Sequence, residues 1–152
     1  MDPTDFLPFL DIALDGMLGI AATLDDELVN ERPDLPGANS AFAIVTHCIG
    51  VTDWWVGSMI AGRPSDRNRE SEFSAAGTVA ELGAAVDALM ARMRSDLAEM
   101  SPAAPIRHPE YLPQGSPARG WNQSKALIHT LEELAQHHGQ LEITRDVLVS
   151  RQ

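Results

Sequence analysis

A chain of 152 residues, 44% of them hydrophobic, is long enough to bury one core without disulfide or metal staples, so residues 1–152 read as a single domain. Its 22 acidic against 11 basic residues give a net charge of −11, a field that argues against nucleic acid and anionic membrane surfaces as partners. The lone cysteine, Cys48, rules out an intrachain disulfide and points to a reducing cytoplasm. Met1-Asp2-Pro3-Thr4-Asp5 places acid where a signal peptide needs base, and no apolar run approaches the roughly 18 residues of a membrane span.

Four segments have helical spacing. The first is expected from about Thr4 to Val29, with Phe6, Leu10, Leu14, Met17, Leu18, Ala21, Leu24 and Leu28 on one face. Arg32 to Gly37 stops it. Asn39 or Ser40 can cap the second helix, which runs to about Ala61 before Gly62-Arg63-Pro64. From Ser65 to Gly77 the chain is polar and reads as a surface loop.

Thr78 with Glu81 forms a capping-box signal for the third helix, expected to end near Met100. Five prolines between Ser101 and Gly120 exclude a helix there, and a long connection of this kind is often functional. The fourth helix is expected from about Trp121 to Val149. No stretch alternates β-branched residues as a strand does. The fold class is therefore all-α, a four-helix bundle with a long Pro-rich loop before its last helix.

Chemistry concentrates in two segments, Thr46-His47-Cys48 and Glu132-Glu133-Leu134-Ala135-Gln136-His137-His138-Gly139-Gln140. On a helix, residues four apart rise by about 6 Å and diverge by about 40°, so two side chains can converge on one ion. Glu133 with His137 meets this spacing, and so does His129 with Glu133. His129 and His137 are about 12 Å apart along the axis, too far to share a metal. A third ligand has to come from another helix, and His47 is the only histidine in the second. Two imidazoles and a carboxylate hold a divalent ion with a position left open.

The bland readings are specific too. His138 falls at the centre of the fourth helix's apolar stripe and reads as a packed core or interface histidine. Glu133 and His137 lie to one side, which periodicity alone makes a solvated face. Trp54 and Trp55 read as core or interface residues, and Cys48 as a small buried one. Arg63, Arg67 and Arg69 read as solvated, or as a contact for an anionic substrate group. His-Glu-x-x-His, Cys-x-x-Cys, Walker, Gly-x-Ser-x-Gly and dinucleotide glycine motifs are all absent.

Pro36-Gly37-Ala38-Asn39-Ser40 leading to Thr46-His47, then Asp53-Trp54-Trp55, Ala61-Gly62-Arg63-Pro64, Arg119-Gly120-Trp121 and the Glu132–Gln140 segment carry a resemblance. Over nearly its whole length the chain resembles the DinB-like (DinB/YfiT) putative metalloenzymes. Within them it is most similar to the mycothiol transferases and the metal-binding domain of mycothiol-dependent maleylpyruvate isomerase. The resemblance implies an up-up-down-down bundle, homodimerisation, and His47, Glu133 and His137 as metal ligands, in preference to the pair with His129. It also implies activation of a low-molecular-weight thiol such as mycothiol for attack on an electrophile. Zinc is the expected metal, with nickel, iron or manganese also compatible. The isomerase carries a further C-terminal domain, so a simpler thiol S-transferase fits this chain better. The rival readings are a metal-dependent hydrolase, with His129 or Glu132 as general base, and a non-catalytic dimeric stress protein. The Pro-rich loop is expected to help form the mouth of the site.

Overall fold

The computed structural model describes residues 2–98 and 100–151. Four long helical elements pack around one core, with α1 at Pro3–Ala21, α2 at Ala41–Thr52, α4 at Val79–Asp96 and α5 at Gln123–Val149. A one-turn helix, α3, occupies Arg69–Glu72. Among the described residues there is no strand, only an isolated bridge between Pro105 and Asn122.

Side-chain chemistry sets the ends. Asp2 accepts from the Thr4 amide, Ser40 from that of Ala43, and Asn122 from that of Lys125. At Thr78 the full capping box forms, Thr78 Oγ1 accepting from the Glu81 amide and Glu81 Oε2 from the Thr78 amide. α1 stops at Ala21, well before Val29. There the Thr23 hydroxyl donates to the Ile20 carbonyl, and Asp25 Oδ1 accepts from the amides of Glu27 and Leu28. These local bonds outcompete the helical ladder, and the chain folds back into a 3₁₀ turn at Leu28–Asn30.

α2 is the central helix, with Ile44, Val45, Cys48 and Val51 all buried. It continues directly into an eight-residue π-helical segment, Asp53–Ile60. Such wide turns are rare and concentrate at functional sites. Arg63 straps the segment down by donating to Asp53 and Asp96.

Contacts at the helix ends give the directions. α2 and α4 begin together, where a Cβ on Gly77 would meet the Phe42 ring. They also finish together, where Asp53 accepts from Arg92 and Asp96 from Arg63. The turn after α1 reaches that starting end, Asp26 accepting from the Val79 amide and Asn30 donating to the Gly77 carbonyl. α1 is therefore antiparallel to α2. Trp121, just before α5, and His129 within it lie against Trp55, while His137 lies against the earlier His47, so α5 is antiparallel to α2. The four-helix bundle is as expected. Its helix order is up-down-down-up and not up-up-down-down, because the connection from α1 to α2 turns the chain back at one end.

The Pro-rich stretch is helix-free only in part, with 3₁₀ turns at Pro109–Tyr111 and Pro117–Gly120. It is pinned across the end of the π segment, the Arg107 amide donating to the Met59 carbonyl and the Gln123 amide to that of Ala104. No described helix is long and apolar enough to cross a membrane.

Candidate metal centre

α2 and α5 cross so that His47, Glu133 and His137 converge, one donor atom from each lying within 4.8 Å of the others. Glu133 Oε2 is 4.0 Å from His47 Nε2 and 3.7 Å from His137 Nε2. The two imidazoles meet edge to face with centroids 4.8 Å apart. A tetrahedral site with bonds of about 2.0–2.2 Å holds its donors roughly 3.4 Å apart, so small side-chain rotations bring these three to bonding distance.

The far nitrogen of each imidazole is already committed. His47 Nδ1 lies 2.7 Å from Glu72 Oε2, and His137 Nδ1 lies 2.8 Å from Gln140 Oε1. A carboxylate or amide oxygen can only accept, so both Nδ1 atoms carry the proton. That leaves Nε2 of each ring as the nitrogen that faces Glu133. This is the outer-partner pattern that fixes histidine as a metal ligand. The donor set fits a divalent ion of the zinc type.

Burial is graded across the cluster. The His47 side chain is 3% exposed, those of Glu133 and His137 26% and 22%. Burial holds the His47 pKa below its ordinary value, outweighing the bond from Glu72. Across the 3.7 Å gap between them, Glu133 raises the His137 pKa and His137 lowers that of Glu133. Burial thus favours the neutral, coordinating form of His47, while Glu133 favours the protonated form of His137.

A cavity of about 350 Å³ opens beside the cluster, lined by His47, Val51, Trp54, Trp55, Arg67, Arg69 and Glu133. The expected contribution of the Pro-rich loop to this mouth is absent from its lining. The segment after α2 supplies that wall, because the π segment and the turn at Arg67–Arg69 lie nearer His47 and Glu133. That segment is also the main surprise, since Glu72 is 7% exposed where a solvated loop was expected. Phe73 stacks on the His47 ring at 4.8 Å. Arg67 is not solvated but forks onto Glu72, and Arg63 is held by Asp53 and Asp96. Arg69 alone of the three is exposed, its guanidinium 5.1 Å from the Phe73 ring centre.

The other candidates separate cleanly. His129 lies outside the triad, its Nε2 3.5 Å from Glu133 Oε1 and its Nδ1 3.0 Å from Glu132 Oε2. Trp55 and Trp121 meet its ring edge-on. Glu132 is largely exposed and touches His129. His138 packs on α1, where a Cβ on Gly16 would come within 2.5 Å of its ring. Cys48 is fully buried, and burial pushes its thiol pKa far up, which removes it as a nucleophile.

A crystal structure described as that of a conserved protein from Enterococcus faecalis superposes with a TM-score of 0.74, covering 99% of both chains at 14% identity. That likeness speaks for the fold. No curated protein matches the chain. The family model for mycothiol S-transferase matches residues 5–149, a span that includes α2, the π segment and all of α5. With that match over nearly its full length, the chain belongs to the mycothiol S-transferase family, a DinB-like branch.

Proposed function

We propose that this protein is a metal-dependent thiol S-transferase in which His47, Glu133 and His137 hold a divalent ion, zinc in the first instance. The observation that carries the reading is the pair of imidazoles whose Nδ1 atoms are bonded outward while both Nε2 atoms face one carboxylate. Family membership supports a low-molecular-weight thiol such as mycothiol as the sulfur donor. A bound divalent ion lowers the pKa of a thiol in its open position from about 8.5, so that thiolate prevails at neutral pH.

The chain's own residues supply the rest. Val51, Trp54 and Trp55 give the cavity an apolar wall that limits water. His129 is the group that takes the thiol proton. Its Nδ1 is bonded to Glu132, which leaves Nε2, beside Glu133, free to accept. The sulfur then bonds to the electrophilic carbon, and either a leaving group departs or the neighbouring carbon of a conjugated alkene takes a proton.

The test is thiol consumption by the zinc-loaded protein across a panel of alkyl halides, epoxides and activated alkenes, beside His137→Ala. Turnover that needs thiol and is lost in the variant supports the reading. Ester or amide hydrolysis without thiol would put a hydrolase in its place.

A further inference from the structure

The one-turn helix α3 and the residue that follows it hold His47 at Nδ1 and on one face of its ring. Glu72 Oε2 accepts a 2.7 Å hydrogen bond from His47 Nδ1. Arg67 grips the same carboxylate twice, Nε to Oε1 at 2.6 Å and Nη2 to Oε2 at 2.9 Å. Phe73, next in the chain, covers one face of the imidazole at an interplanar angle of 26°. Gly50 makes room, because a Cβ there would collide with the Glu72 carboxylate. A glycine in mid-helix is less favourable than alanine, so α2 gives up stability where the carboxylate enters.

A carboxylate only 7% exposed is costly unless paired, and Arg67 provides the pairing. Arg67 Nη2 also lies 3.4 Å from His47 Nδ1. With two donors converging on one anion, Glu72 cannot turn to another partner, and Nδ1 has no other acceptor to choose.

We propose that Glu72, braced by Arg67, is a positioning residue that fixes His47 as the Nδ1-protonated tautomer and so commits Nε2 to the metal. This rests on the metal reading above. It adds that the segment after α2 controls the site without touching the ion. The bond also makes His47 a stronger donor, because a carboxylate pulling on Nδ1–H raises electron density at Nε2.

The test has two arms. In metal-free protein, ¹⁵N NMR of the His47 ring reads the tautomer directly. Wild type is expected to be protonated at Nδ1, and Glu72→Ala to shift toward the Nε2-protonated form. In the second arm, Co²⁺ and Zn²⁺ are titrated into wild type, Glu72→Gln, Glu72→Ala and Gly50→Ala. Metal affinity is expected to fall by roughly 10–100-fold in Glu72→Ala, as for other outer partners, and by less in Glu72→Gln. Gly50→Ala, which displaces the carboxylate and leaves its chemistry alone, should reproduce the loss with a changed Co²⁺ spectrum. Unchanged affinity in Glu72→Ala, or Nε2 protonation in wild type, overturns the proposal. Should wild type bind no metal, the metal reading falls, and the tautomer of Glu72→Ala against wild type still decides whether Glu72 positions His47. Should Glu72→Ala not fold, Glu72→Gln and Gly50→Ala carry both arms.

Discussion

His137 and Gln140, three residues apart on α5, are joined by a 2.8 Å bond from the imidazole Nδ1 to the amide Oε1. The bond turns Nε2 toward Glu133. Gln140→Leu removes the acceptor and leaves the three proposed ligands in place. Metal affinity should fall by about 10–100-fold, with the fold intact by circular dichroism. Gln140→Glu, which keeps an acceptor oxygen, should recover most of the loss.

His129→Ala separates binding from proton transfer. His129 lies outside the triad, so metal content should stay near that of wild type. Loss of a general base typically costs about 10²–10⁴-fold, and the loss should fall on kcat more than on KM. Metal loss in this variant would instead make His129 a ligand.

The two histidines proposed as ligands are displaced in opposite directions, His47 below its ordinary value by burial and His137 above it through Glu133. In metal-free protein, His137 stabilises the fold below pH 6.5, and that contribution is lost as pH rises through its higher folded value. His47 does the reverse, contributing above pH 6.5 and losing that contribution as pH falls through its lower folded value. Together they favour a stability maximum near pH 6.5, to be measured by urea unfolding of the apo protein across pH. Replacing His137 with Gln should remove the alkaline flank of that maximum. Metal affinity should rise with pH until His137 is deprotonated, with protons released on binding.

Glycines in two helices give opposite expectations for one substitution. Gly83 in α4 has open space where a Cβ would go, so Gly83→Ala should stabilise by about 1 kcal/mol. At Gly50 the added carbon meets Glu72, and Gly50→Ala should destabilise by roughly 1–3 kcal/mol despite alanine's better propensity. Thermal unfolding of the two variants beside wild type checks both signs.

The bundle is legible in the sequence because its signals are local and periodic. The stripe from Phe6 to Met17, the Thr78–Glu81 box and the run from Gln123 to Leu148 each announce themselves within a few turns. The pairing of Glu133 with His137 is legible for the same reason, being one helical step. Periodicity misreads their surroundings as solvent, since the wheel of α5 cannot show that α2 presents a buried imidazole to its polar side. Glu72 is illegible for a deeper reason. Its partner His47 is twenty-five residues away, and a helix as short as Arg69–Glu72 has no period to detect. The π segment is hidden too, because its residues read as an ordinary continuation of α2. The helix directions depend on which ends meet, and composition does not record that.

All three tryptophans sit in one cluster, Trp54 edge-on to Trp55 at 4.9 Å and Trp55 stacked on Trp121 at 5.6 Å. Trp55 borders the cavity beside His47 and also meets His129, which faces Glu133. The molecule's entire indole emission therefore originates within a few side chains of the proposed ion. Its colour and lifetime are a built-in gauge of what enters that cavity, and stay dark to events at the far end, where α2 and α4 begin.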